Sequence, residues 1–173
     1  MAGMMGQHWL QPDWDPGLTI AHLALSHLTA QGIEAAVLDV DRTLLPGRDV
    51  VLPEPVQFWL MEAKERFSLH LFSNNPSHSR IAAVAEQLDV SFTAAAGKPR
   101  RGSLRRVLKD LDLPVDCVAM VGDRLFTDVL CGNRLGLYTV LVRPVRSDGT
   151  ACSQDRVQRI ERTLAGWMGA PTA

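Results

Sequence analysis

The segment AAVLDVDRTLL, residues 35–45, most constrains the fold because a short apolar run ends on two carboxylates set two residues apart. Such a run is typical of a strand buried on both faces of a parallel sheet. Side chains alternate along a strand, so Asp39 and Asp41 project to the same side where the strand ends. Their repulsion requires a nearby cation or a shared proton, and both arrangements serve phosphoryl chemistry. Taken alone, the pair also fits an ordinary Asp-rich turn.

Apolar runs alternate with stretches of helical periodicity along the rest of the chain. The further predicted strands cover residues 69–72, 91–94, 117–121 and 138–142. The predicted helices cover residues 18–30, 53–67, 77–88, 102–111 and 127–135. This alternation predicts an α/β fold with a mostly parallel five-stranded sheet and helices on both faces. Ligands of such sheets bind at the carboxyl ends of the strands.

The two ends of the chain are predicted to be an arm and a helix. Residues 1–17 carry glycine, proline and two tryptophans without a clear period, which indicates an irregular N-terminal arm. Residues 153–168 indicate a C-terminal amphipathic helix with Ser153 as its N-cap. Its apolar stripe consists of Val157, Ile160, Leu164 and Trp167. A chain of 173 residues supports one hydrophobic core, so residues 1–173 are predicted to be a single domain.

Composition excludes several classes of protein. A net charge of -1 provides no general attraction to nucleic acid. The three cysteines are scattered without C-x-x-C spacing, so reduced thiols in a cytoplasmic protein are expected. No apolar run approaches the roughly 18 residues needed to cross a bilayer, and the N-terminus lacks the pattern of a signal peptide. We therefore expect a cytoplasmic protein, with peripheral membrane contact left open.

Polar side chains follow the other strands at the same predicted edge of the sheet. Ser73 and Asn74 come directly after the second strand and can hydrogen-bond phosphate oxygens. Lys98 lies in a loop before a helix, where its ammonium suits a phosphoryl group. Asp123 and Asp128 follow the fourth strand, with Thr127 as the expected helix cap. Each segment alone also fits an ordinary structural role, such as a turn, a surface lysine or a helix cap. These roles do not explain why all of the segments lie at the same edge of the sheet.

The order DVDRT, FSNN, GKP and GDRLFTD resembles the four motifs of the haloacid dehalogenase superfamily of phosphatases, over roughly residues 18–145. The segment VGDRLFTDVLCGNRLGLYTVLV is similar to the YqeG-type branch of subclass III, which is related to phosphatidylglycerophosphate phosphatases. This resemblance implies a Rossmann-like core and a Mg²⁺-dependent phosphomonoester hydrolase with an aspartyl-phosphate intermediate. The leading substrate that it implies is phosphatidylglycerophosphate.

The resemblance also implies roles for individual residues. Asp39 would attack phosphorus, and Asp41 would serve as general acid and then general base. The phosphate-binding residues would be Ser73, Asn74 and Lys98. The Mg²⁺ site would comprise Asp39, Asp41 through its backbone carbonyl, Asp123 and, at a greater distance, Asp128. Arg42 and residues 45–47 depart from the family pattern at variable positions, which implies an unchanged mechanism and an altered rim of the site.

The motif spacing leaves no room for a cap domain. One helix and one strand fill the interval from Leu44 to Ser73, and again the interval from Asn74 to Lys98. An open site suits a phosphate carried on a large substrate, such as a lipid headgroup at a membrane surface. A soluble sugar or nucleotide phosphate is the alternative substrate.

A basic run lies beside the predicted site and has two interpretations. It is either a solvated helix face or a surface attracted to anionic lipid, with Trp9 and Trp14 at headgroup level. Its members are Lys98, Arg100, Arg101, Arg105, Arg106 and Lys109. A receiver-like signalling domain and a non-catalytic scaffold are the alternatives to an enzyme. A receiver would need an aspartate where Ser73 and Asn74 stand, and a scaffold should have lost at least one acid.

Overall fold

A computed structural model describes residues 9–153 and 155–170 of the chain, and five parallel strands form its sheet. The strands are β1 (Ala35–Leu38), β2 (Ser68–Phe72), β3 (Ser91–Thr93), β4 (Val118–Gly122) and β5 (Tyr138–Leu141). Their order across the sheet is β3-β2-β1-β4-β5. The predicted α/β class, the five parallel strands and the absence of a cap domain in the described residues are confirmed.

Helices cover both faces of this sheet. They are α1 (Leu25–Ala30), α2 (Glu54–Lys64), α3 (His78–Leu88), α4 (Gly102–Leu111), α5 (Leu130–Asn133) and α6 (Arg156–Trp167). Alternation along β1 divides the core, because Ala36 and Leu38 pack with α1, α2 and α3. Ala35 and Val37 pack with α4 and α5 on the other face. All four residues of β1 are buried, which explains why this strand lacks polar residues until it ends.

The chain order reverses around the central strand. Strand β1 pairs with β2 on one side and with β4 on the other, and Leu38 lies opposite both Leu71 and Val121. The connections that follow β1 and β4 therefore diverge, which opens a crevice at the carboxyl ends of these strands. The loops after β1, β2 and β4 emerge side by side at this crevice.

The predicted helix over residues 18–30 is wrong in its first half. A three-residue 3₁₀ turn covers Ile20–His22, and Leu23 adopts an extended conformation before α1 begins. The Leu23 carbonyl turns away from the helix axis and accepts a hydrogen bond from the indole nitrogen of Trp59 at 2.9 Å. Ile20 and Leu23 are nevertheless buried with Leu28 in one core. Apolar residues therefore recur before and after the break, which explains why the sequence resembles one continuous helix.

Part of the predicted N-terminal arm lies against the sheet. Its residues 1–8 lie outside the described residues. Trp14 bridges to Val140 and exchanges backbone hydrogen bonds with Thr139 and Leu141, so it extends the sheet at β5. Its ring also stacks on His27 at 4.0 Å, whereas Trp9 is 45% exposed. Trp14 is therefore held against the sheet and α1, and its position at headgroup level stays a prediction.

Crossing a bilayer requires a long apolar helix, and none of the helices within residues 9–153 and 155–170 has both the length and the apolar character for it.

Candidate active site

Lys98 lies at the centre of a buried cluster of charges in the crevice. Its ammonium donates hydrogen bonds to Asp39 Oδ1 and Asp128 Oδ1, both at 2.7 Å, and to the Phe72 carbonyl at 2.9 Å. Burial disfavours the charged amine, but attraction to Asp128 and Asp39 outweighs it and raises the pKa of Lys98 above its ordinary value. The lysine therefore remains cationic. It belongs to this cluster and not to the exposed basic face in which it was predicted.

Asn74 holds the backbone of Lys98 in place. The Asn74 side-chain nitrogen donates to the Lys98 carbonyl at 3.0 Å, and its oxygen accepts from the Lys98 amide at 2.7 Å. Gly97, directly before the lysine, adopts a φ of 75° that favours glycine. Both ends of the Asn74 amide thus contact the lysine loop, which indicates that Asn74 positions Lys98. Direct contact between Asn74 and phosphate stays a prediction.

Three carboxylates meet beside the lysine. Oxygens of Asp39, Asp123 and Asp128 lie within 4.8 Å of one another, and all three residues are buried. Burial, followed by repulsion from Asp128 and Asp39, raises the pKa of Asp123 to about 8. Asp123 Oδ2 is buried and accepts no hydrogen bond from the described residues. A hard divalent cation, which prefers several oxygen ligands, fits this oxygen set.

The close approach of Asp128 depends on a glycine at the end of β4. A Cβ atom at Gly122 would lie 2.2 Å from Asp128 Oδ2, so any side chain there would displace the carboxylate. Asp128 also accepts from the Arg124 backbone amide at 3.2 Å. The chain forms a π-helical turn at Leu125–Val129 before α5, and Thr127 makes no side-chain capping bond. The predicted cap at Thr127 is therefore wrong, and Asp128 bonds back to the start of the turn instead.

Asp41 lies at the mouth of the crevice, apart from the three-carboxylate cluster. Its side chain is 38% exposed and contacts Arg80 Nη1 at 2.6 Å. Ser73 Oγ and Asn75 Nδ2 donate to the same carboxylate at 3.4 and 3.3 Å. The Arg80 guanidinium also donates to the backbone carbonyls of residues 47, 48 and 49, which ties the loop after motif DVDRT to α3.

Sequence reasoning missed Arg80, although one weak signal was present. The residue lies in the first turn of α3, where the helix dipole disfavours a cation. An arginine at such a position indicates an acidic partner nearby, and Asp41 is that partner.

Arg42 also contacts the cluster, although it was predicted only to alter the rim of the site. Its Nε lies 3.2 Å from Asp123 Oδ2, and its Nη2 pairs with Asp155. Its φ of 70° is uncommon for a residue other than glycine and turns the chain between β1 and residues 43–45. The guanidinium thus links the carboxylate cluster to the start of α6.

Helix α6 supports the loop that carries Asp123. Gln158 donates to the carbonyls of Asp123 and Val142 at 2.6 and 2.7 Å. Glu161 accepts from the Leu125 amide and from Arg124 Nε, both at 3.0 Å. Asp155, and not Ser153, caps the helix by accepting from the Gln158 amide at 2.7 Å. The predicted N-cap at Ser153 is therefore wrong. The helix begins at Arg156, and its N-cap residue Asp155 also pairs with the Arg42 side chain.

Replacing Gln158 by Ala should loosen the Asp123 loop and weaken binding of a divalent metal. Removing a group that orients a metal ligand typically costs about 10- to 100-fold in affinity, and we expect a loss in that range. Titration calorimetry with Mg²⁺ or Mn²⁺ would measure it. Gln57→Ala is a matched control, because Gln57 of α2 also donates to a backbone carbonyl, that of Leu52 at 3.0 Å, and Leu52 is not a site residue. Equal metal affinity in the two variants would refute the supporting role of Gln158.

A parallel sheet with an acid-lysine cluster at its switch point is an arrangement suited to phosphoryl transfer. A family model described as HAD-hydrolase-like matches residues 95–159. A probable phosphatase, YqeG of Bacillus subtilis, is 32% identical over 148 residues, covering 84% of each chain. The chain thus belongs to the haloacid dehalogenase superfamily of phosphatases, in the family that includes this Bacillus protein, and it is a phosphoric monoester hydrolase.

Other relatives extend the comparison. The mitochondrial phosphatidylglycerophosphatase of Saccharomyces cerevisiae is 28% identical over 152 residues, with 79% of each chain covered. The chloroplastic phosphatidylglycerophosphate phosphatase 1 of Chlamydomonas reinhardtii is 31% identical, and the match covers 86% of this chain but 59% of that relative. An uncharacterized protein from Listeria monocytogenes shares the fold with a TM-score of 0.55 at 18% identity, over 72% of this chain and 84% of the other.

Proposed function

We propose that the protein hydrolyses phosphomonoesters with Mg²⁺, through an aspartyl-phosphate on Asp39. The observation that supports this assignment is the fixed orientation of the Asp39 carboxylate. One oxygen accepts from Lys98 at 2.7 Å and the other from Thr43 Oγ at 3.1 Å, while the side chain remains 10% exposed toward the crevice. A carboxylate that is held, partly desolvated and reachable is suited to attack phosphorus.

The carboxylate cluster provides the oxygen ligands for the metal. Asp39 and Asp123 would bind the ion, and Asp128 would complete the negative field around it. When bound there, Mg²⁺ would offset the negative charge of the phosphoryl oxygens. Lys98 and Ser73 would bind the same oxygens from the protein side, and Asn74 would act through its hold on Lys98.

Asp41 would complete the reaction from the mouth of the crevice. As Asp39 forms a bond to phosphorus, the bond to the alkoxide breaks and Asp41 transfers its proton to that oxygen. Asp41 then takes a proton from a water molecule, which attacks phosphorus and releases inorganic phosphate and free Asp39. Its 38% exposure at the mouth of the crevice supports this role, because a leaving group would depart toward solvent.

We assign phosphatidylglycerophosphate as the proposed substrate. The yeast and algal relatives carry that activity in their names. The described residues between β1 and β2 contain only α2 and its loops, so no inserted cap encloses the site there. An uncapped crevice is compatible with a phosphate whose remaining portion stays in a bilayer.

A panel of substrates tests the proposal. We expect kcat/KM for phosphatidylglycerophosphate in mixed micelles to exceed that for glycerol phosphate, sugar phosphates and nucleotides by about 100-fold or more. Activity should be lost in excess chelator and restored by Mg²⁺. Full activity after chelation and dialysis would refute the metal requirement. A preference for a soluble ester would replace the lipid substrate while leaving the phosphatase chemistry intact.

A further inference from the structure

The outer face of α6 is apolar, which reverses the usual arrangement of an amphipathic helix. Its inward face consists of Gln158, Glu161 and Ala165, all buried. Ile160 is 59% exposed, Leu164 is 41% exposed and Trp167 is 81% exposed. At 100° per residue these three side chains fall within an arc of about 60°. The apolar stripe predicted from the sequence therefore exists, but most of it faces away from the core.

The charges around this stripe are positive. Arg156 and Arg159 are exposed on α6, and neither forms an ion pair with a described residue. The acid of this helix, Glu161, is buried and paired with Arg124. Arg162 is engaged with Asp15 at 2.7 Å. The outward surface of α6 thus combines an apolar stripe that ends in tryptophan with two free arginines and no exposed acid.

The apolar surface continues beyond the end of the helix. Met168 is 68% exposed and lines a mostly apolar cleft together with Trp9, Leu10 and Phe126. Trp9 is itself 45% exposed, with Arg134 at 5.7 Å from its ring centre. Tryptophan, aliphatic side chains and arginine at one surface are the combination that lies at a boundary between lipid headgroups and acyl chains.

From this surface we infer that the outer face of α6 docks the protein on an anionic lipid membrane. The stripe inserts its apolar side chains below the headgroups, while Arg156 and Arg159 contact lipid phosphates. The helix starts at the active site, because Asp155 pairs with Arg42 and Arg42 contacts Asp123. Docking would bring a lipid-borne phosphate toward the crevice. Hydrolysis of that phosphate rests on the proposed function, whereas membrane binding does not.

A second exposed apolar pair provides an internal contrast. Phe58 and Met61 of α2 are 64% and 66% exposed, but Glu54 and Glu62 are exposed on the same helix. Acidic neighbours oppose contact with an anionic surface. The exposed apolar side chains of α2 therefore lie among acidic residues, whereas those of α6 lie among arginines.

Vesicle flotation with the full chain tests the inference. The protein should bind phosphatidylcholine vesicles that contain phosphatidylglycerol, and binding should weaken in high salt. The double variant Ile160→Gln/Trp167→Gln should lower the partition coefficient by about tenfold or more, since two interfacial side chains are lost. Arg156→Glu/Arg159→Glu should lower it by a similar factor on anionic vesicles. Hydrolysis of a soluble aryl phosphate should be unchanged in both.

The control Phe58→Gln/Met61→Gln should bind vesicles as the unmutated protein does. Absence of vesicle binding, or binding that both α6 variants retain, would overturn the inference. A dimer in size-exclusion chromatography that the α6 variants dissociate, with vesicle binding unchanged, would identify the face as an interface between copies and overturn it also. Docking through α6 without hydrolysis of phosphatidylglycerophosphate would uphold the membrane surface and refute only the proposed substrate.

Discussion

Replacing Asp39 by Asn is expected to reduce kcat by on the order of 10⁴-fold or more, since the change removes the proposed nucleophile. The substitution is nearly isosteric, and the amide oxygen can still accept the hydrogen bond from Lys98 or Thr43. The fold should therefore persist. Steady-state hydrolysis of an aryl phosphate, with circular dichroism to monitor folding, would measure both effects.

Asp110→Asn is a matched control for this experiment. Asp110 is an exposed acid on α4, and we expect its variant to retain full activity. An Asp39→Asn protein that is folded and works at a rate near that of the unmutated enzyme would end the assignment of Asp39 as nucleophile. Trapping the phosphorylated enzyme in the unmutated protein, but not in the variant, would support it directly.

Replacing Lys98 by Met should damage both stability and activity. The change leaves Asp39 and Asp128 buried without the cation that bonds both, at a cost of about 3–5 kcal/mol in the free energy of unfolding. Urea unfolding in metal-free buffer would measure this loss. Phosphatase activity should fall below detection, because the proposed phosphoryl contact is also lost.

The exposed residue Lys109 offers the corresponding control on α4. Lys109→Met should change the free energy of unfolding by no more than about 0.5 kcal/mol, as is usual for surface substitutions. If Lys98→Met were as stable as Lys109→Met, the lysine would not be the charge partner of the two carboxylates. That result would also place the role of Lys98 outside the buried cluster.

The two strands that carry the acids were predictable because both are apolar along their whole length. Strands β1 and β4 are buried on both faces, so each is an unbroken apolar run that ends on an acid, and no other element within residues 9–153 and 155–170 has that pattern. The site acids Asp39 and Asp123 were therefore found together with the strands that carry them. Asp128 was found through its motif, although its bond to the Arg124 amide was not.

The orientation of α6 was not predictable from periodicity. An amphipathic pattern shows that a helix has two faces but does not show which one packs inward. Gln158 and Glu161 face inward because the loop after β4 presents buried carbonyl and amide groups that need partners. These buried polar groups come together only in the folded protein. The sequence of the helix alone therefore does not indicate which face packs inward.

The contacts of Arg80 and Arg42 depend on the path of the loop between them. Arg80 bonds three consecutive carbonyls of residues 47–49, a contact between segments that are more than 30 residues apart. Arg42, which contacts Asp123, has its backbone in a left-handed turn that arginine rarely adopts. Neither feature has a periodic signature, and the position of Arg80 in the first turn of α3 is only a weak signal in the sequence.

The distance along the chain between the site residues determines when the site forms during folding. Lys98 bonds Asp39 across 59 residues and Asp128 across 30, and Asn74 bonds Lys98 across 24. Contacts of such long sequence separation form after local helices, because closing long loops costs chain entropy. Partly folded forms that hold their helices would therefore be inert. Recovery of phosphatase activity during refolding would report the docking of β1, β2 and β4 into one sheet, and not the formation of any single element.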